Sequence, residues 1–151
     1  MAAARGIGEQ LEERCLRTGR GSATWFGPTG YGTQENPLRV VQLGPNLYDG
    51  TSGIAVFLAA LARVTGEARF RDLAHQALLP LRERLVALAA DPSRAGALRM
   101  SVGGLMGLSS YLYALLRVGT LLEEPAWVDA AHAASALVTP ERIAADARPR
   151  L

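Results

Sequence analysis

Few side chains in this 151-residue chain could do chemistry, and their spacing decides what kind. Its one cysteine, Cys15, and its two histidines, His75 and His132, would supply three zinc ligands if they converged. Cys15, however, falls on the apolar stripe of the first amphipathic segment, where a thiol behaves as a small buried hydrophobe. His75 and His132 follow an aspartate at the same spacing, in Asp72-Leu-Ala-His75 and Asp129-Ala-Ala-His132. That pattern predicts repeated local bonding to a neighbouring turn rather than a shared metal. A hydrolase built on paired carboxylates needs two acids on one cleft, and no spacing here shows that convergence. Asp49 reads most simply as an N-cap, although its position ahead of a helix leaves substrate contact open. Tyr48 and Tyr111 stand at or near the same kind of helix entrance. Each either packs with its hydroxyl bonded or touches a ligand.

The elements that must position these residues are helical. Ile7, Leu11 and Cys15/Leu16 recur at steps of four, predicting a helix over about Gly6–Arg17. A Gly- and Pro-rich stretch, Gly19–Leu47, follows. It carries Trp25, Phe26 and Tyr31 and a β-prone piece, Leu38–Leu43. A loop that long in a small domain is functional or an interface, and the aromatics argue that it packs. Helices are then expected over Gly50–Val64, Ala68–Ala89 (bent or split at Pro80), Leu105–Val118 and Pro125–Leu137. Asp91 through Gly96 reads as a turn, and Thr139-Pro140-Glu141 opens a last short helix through Asp146.

The helix pairs repeat. Gly50-Thr-Ser-Gly53 aligns with Gly104-Leu-Met-Gly107 at an offset of 54. Beyond the connecting loop the offset is 57, pairing Phe70 with Trp127, Asp72 with Asp129 and His75 with His132. The extra residues are expected in Leu121–Glu124. Each unit is an αα-hairpin whose first helix is apolar over a wide arc and so needs neighbours on several sides. Gly50, Gly53, Gly104 and Gly107 read as structural, allowing close backbone approach at the helix entrances.

Composition excludes other classes. All sixteen basic residues are arginines scattered among glutamates, so no basic stripe marks a nucleic-acid interface. One cysteine cannot form an intramolecular disulfide. The longest apolar run, Ile54–Ala62, is too short to span a bilayer. A cytoplasmic protein without a membrane span or nucleic-acid partner is expected.

Leu47-Tyr48-Asp49-Gly50-Thr51-Ser52-Gly53-Ile54-Ala55, with Phe57-Leu58-Ala59 and Thr65-Gly66, resembles the cyclase domain of lanthipeptide synthetases. It looks closest to the LanC-like C-terminal part of the type II (LanM) enzymes. Trp25-Phe26-Gly27, Leu43-Gly44-Pro45 and Gly103-Gly104-Leu105-Met106-Gly107-Leu108 with Tyr111 fit the same pattern, which covers about Ile7 to Asp146. The resemblance implies an all-α fold of αα-hairpins in an α/α toroid with the G-x-x-G helices inside. It also implies a zinc ion held by two cysteines and a histidine. The metal activates substrate cysteine thiols, which add to dehydroalanine or dehydrobutyrine to close thioether rings in a precursor peptide.

On that reading, residues 1–151 are a partial domain: helix 1–18, loop 19–47, hairpins 48–96 and 97–138, and the start of a next segment, 139–151. No catalytic or metal residue carries over, so zinc is expected in the full-length enzyme and not in this chain. Tyr48, Asp49 and Tyr111 are the candidate substrate contacts. The fragment itself is expected to be inactive and to self-associate through exposed inner-helix flanks. Two alternatives remain: a non-catalytic αα-hairpin module that binds a peptide or protein, and a piece of a six-hairpin α/α glycosidase.

Overall fold

A computed structural model describes residues 1–29, 39–91 and 100–146. Helix α1 (Ala2–Arg14) is followed by two antiparallel two-stranded pairs. The first joins β1 (Leu16–Arg17) to β2 (Ala23–Thr24), and the second joins β3 (Phe26–Thr29) to β4 (Arg39–Gln42). Next come α2 (Thr51–Thr65), α3 (Ala68–Ala90), α4 (Leu108–Leu122), α5 (Pro125–Ser135) and the short α6 (Pro140–Asp146). The protein is all-α in character, its strands confined to the segment between α1 and α2. No helix among the described residues is long and apolar enough to cross a membrane.

The hairpins α2–α3 and α4–α5 stand side by side, with α2 against α4 in one layer and α3 against α5 in the other. Burial follows the helical period on each contact face. Leu58, Leu61, Phe70, Leu73, Leu78 and Leu85 of the first hairpin are buried with Leu108, Leu115, Val118 and Trp127 of the second. Helix α2 ends at Gly66, in the left-handed region at φ 72°, where any other side chain would be strained. Helix α4 ends the same way at Glu123, φ 59°, accepting about 1–2 kcal/mol of strain for a non-glycine residue there. Helix α3 is not split at Pro80; buried residues from Phe70 to Leu85 hold both halves against the core.

Helix α1 begins and ends earlier than its period predicts. It docks through Gly8, where a side chain would collide with Leu61 and Phe70, while Ile7 stays partly exposed beside that contact. Cys15 is therefore not on a buried helical stripe. It caps the helix in extended conformation, half-buried, with its Sγ donating to Glu12 O at 3.1 Å. In the long loop, Trp25 is buried and its Nε1 donates to Leu11 O at 2.7 Å, as expected of a packed aromatic; Phe26 is exposed. The pairing of β3 with β4 has no counterpart in the sequence reading, which saw only the β-prone piece around β4. Tyr31, Leu38 and the turn after Asp91 lie outside the described residues.

Candidate functional site

The two helix entrances are built alike, seven residues upstream of each first turn. The Thr51 amide donates to Gly44 O at 2.8 Å, and the Leu108 amide donates to Ser101 O at the same distance. Ser52 bonds through its hydroxyl to Pro45 O, and Ser109 through its amide to Val102 O. A Cβ on Gly50 would strike the backbone of Gly44 and Asn46; one on Gly107 would strike that of Ser101 and Gly103. Gly50 and Gly107 are thus the equivalent N-caps, and Gly66 and Glu123 the equivalent C-caps.

These pairs set a uniform repeat of 57 residues. This corrects the offset of 54 across the first helices, and no extra residues fall in Leu121–Glu124. Aligning the glycine pairs moves α4 forward by nearly one turn, because Gly104 stands in the approach loop and not at the helix start. A Cβ on Gly53 would meet Leu47 O, whereas nothing lies within 4 Å of one on Gly104.

Asp49 does not cap α2. Gly50 is the N-cap and no side chain bonds there; instead the Asp49 amide donates to Asn46 Oδ1 at 3.0 Å. The turn so formed leaves the Asp49 carboxylate and the Tyr48 ring in solvent, with Tyr48 73% exposed. The loop is pinned from the second hairpin, since the Leu47 and Tyr48 amides both donate to Leu105 O, at 3.1 and 3.2 Å.

Beside this mouth lies a cavity of about 460 Å³ between α1 and the first turns of α2, walled by Ile7, Leu11, Ile54 and Phe57 and edged by Tyr48 and Asp49. A second cavity of about 240 Å³ shares Ile7, Leu11, Leu43 and Ile54 and continues to Trp25 and Arg14. Together they form an apolar groove with a carboxylate at one end and a guanidinium at the other. That shape and polarity suit an extended peptide.

Tyr111 is not part of that groove. It is buried on α4 and lines a different cavity, with Arg84 of α3. Burial pushes its phenol above the ordinary range, an effect that the Arg84 charge partly offsets.

The histidines serve the hairpin interface. His75 stacks on Trp127 at 5.4 Å between centroids, and its Nε2 lies 3.0 Å from Glu124 Oε2 without the alignment of a hydrogen bond. Trp127 Nε1 donates to the same Glu124 oxygen at 3.1 Å, and Arg82 lies over the Trp127 ring. His132, one repeat later, is exposed. Among the described residues no three His, Cys, Asp or Glu side chains come together to hold a metal ion. Cys15 and the two histidines therefore do not fit the cysteine–histidine zinc set implied by the resemblance.

Sequence reasoning missed the charged junctions. Glu67 and Glu124, one repeat apart, precede α3 and α5, and each meets an arginine from the helix before its own hairpin. Glu67 meets Arg5 of α1 at 2.7 Å, and Glu124 meets Arg71 of α3 at 4.0 Å, with the His75 ring beside it. The shared spacing of these glutamates was the available signal.

Residues 41–147 match the model of the family described as lanthionine synthetase C-like protein. No curated protein matches the chain.

Proposed function

The chain belongs to the lanthionine synthetase C-like family, and from that membership we propose that it forms a peptide-binding wall of a lanthionine-forming cyclase domain. The intact enzyme adds cysteine thiols of a precursor peptide to dehydroalanine or dehydrobutyrine, closing thioether rings. The Leu47–Ala55 element supports a type II synthetase setting, where such peptide modification is cytoplasmic. The residues of this chain do not fit the zinc that the resemblance implies for the reaction, so no step of the thioether chemistry is assigned to them. Their role is recognition.

The observation that carries this reading is the apolar groove that begins at Tyr48 and Asp49 and runs between α1 and α2 to Arg14. Apolar peptide side chains would be desolvated against Ile7, Leu11, Ile54 and Phe57. Asp49 and Arg14 would fix direction through the peptide's own charges. Tyr111, off this groove, would meet a peptide only through a second contact.

Binding of a fluorescein-labelled dehydrated precursor peptide, followed by anisotropy, tests the proposal. Tyr48→Ala should weaken binding by about tenfold, the loss of one aromatic anchor worth ~1.4 kcal/mol. Asp49→Asn should weaken it less and reduce its salt dependence. Unchanged binding in both variants would refute the recognition role, and the chain alone should show binding without ring closure.

A further inference from the structure

A separate cavity of about 240 Å³ lies behind the first helix entrance, walled by β2, the start of α2, the middle of α3 and Tyr111 of α4. Its floor is apolar, from Ala77, Leu81 and Leu85. Its rim is polar but one-sided: among the described residues Arg84 is the only charged one on the lining, and none of them brings a carboxylate. Arg84 forms no ion pair with any described residue. Two hydroxyls on the lining are equally unengaged. Thr51 and Tyr111 are each only 7% exposed, and neither side chain has a hydrogen-bond partner among the described residues.

Both hydroxyls open into the cavity rather than being sealed from it, so they hold donor and acceptor capacity that a bound group can use. Thr24, also on the lining, is already bonded to Gln42, so the vacant capacity is concentrated at Thr51, Tyr111 and Arg84. We propose that this cavity binds a small carboxylate-bearing ligand, with Arg84 taking the anion, Thr51 and Tyr111 hydrogen-bonding its oxygens, and the apolar floor taking its hydrocarbon part. Burial keeps the Tyr111 phenol protonated and thus a donor. The volume falls below the ~300 Å³ at which sites for drug-sized ligands begin, which limits the ligand to roughly the size of one amino-acid side chain. A free carboxylate and the acidic side chain of a peptide share this chemistry.

The test is an NMR titration of the 151-residue chain with phenylacetate, with phenylacetamide as its neutral isostere, inorganic phosphate, and a blocked glutamate dipeptide. Phenylacetate should shift the resonances of Thr51, Arg84 and Tyr111 saturably, and the amide should bind at least about tenfold more weakly, the size of a charge-assisted bond. Tighter binding of the blocked glutamate than of phenylacetate assigns the site to a peptide side chain, and the reverse order to a free carboxylate. Arg84→Gln, on an exposed helix position, should weaken binding about tenfold, and Tyr111→Phe about fivefold, with unaltered circular dichroism. Equal binding of acid and amide, tighter binding of phosphate than of either carboxylate, no saturable response, or full binding by the Arg84→Gln variant would overturn the proposal.

Discussion

Glu67 shows how one residue holds an element in position. Burial raises its carboxyl pKa, but hydrogen bonds from Arg69 and Arg5 outweigh that and hold it below its ordinary value of 4.5. A carboxylate depressed in the folded state stabilises that state above its unfolded pKa. The contribution is lost as pH falls through the lower folded value. Glu67→Gln should therefore reduce thermal stability at neutral pH and flatten its decline below about pH 4.5. An acid limb identical to that of the parent would show that the pair is inert. Glycines make a second residue-scale contrast. Gly107→Ala drives a Cβ into Ser101 O and the Gly103 amide, and should cost about 1–3 kcal/mol by urea unfolding. Gly104→Ala meets open space and should fall within ±0.5 kcal/mol. Equal losses would restore the glycine-pair register and contradict the 57-residue repeat.

At the scale of elements, the sequence revealed the helices better than their entrances. The apolar period fixes α2 and α3 to within about a residue, because burial on one face leaves that period in the chain. Helix α4 starts later than expected, because a Gly pair marks close backbone approach without saying whether that approach occurs in the loop or in the helix. The pairing of β3 with β4 was illegible for a related reason: its partners are separated in sequence, and all four residues of β4 are exposed, leaving no alternation to read. The candidate site was half legible. Tyr48 and Asp49 were visible from their motif, but the groove beside them comes from α1, whose docking depends on Gly8 and a charged cluster at Glu67 and Arg69. The joint between hairpins depends on Trp127, enclosed by His75, Arg82 and Glu124. Trp127→Ala should cost about 3–5 kcal/mol in chemical unfolding, and a loss under 1 kcal/mol would show that the hairpins are held elsewhere.

Across the whole molecule, each hairpin's turn carboxylate pairs with an arginine from the helix before it, Arg5 for Glu67 and Arg71 for Glu124. Helix α1 thereby covers the flank of the first hairpin, as α3 meets the turn of the second. On α4, Tyr113 and Leu116 remain exposed, as does Val64 on α2. Apolar residues on helices of the same layer favour association. Light scattering should show mass rising with concentration, and Leu116→Arg should reduce that rise; a constant monomer mass for the parent chain would remove the claim.

Chemical-shift mapping on the isotope-labelled chain decides whether the groove between α1 and α2 recognises a precursor peptide. On addition of dehydrated precursor, saturable shifts are expected, centred on Tyr48, Asp49, Ile54 and Phe57 and extending through Ile7 and Leu11 to Arg14. Shifts confined to other faces, or no saturable shifts with a peptide that the intact cyclase modifies, would contradict that recognition.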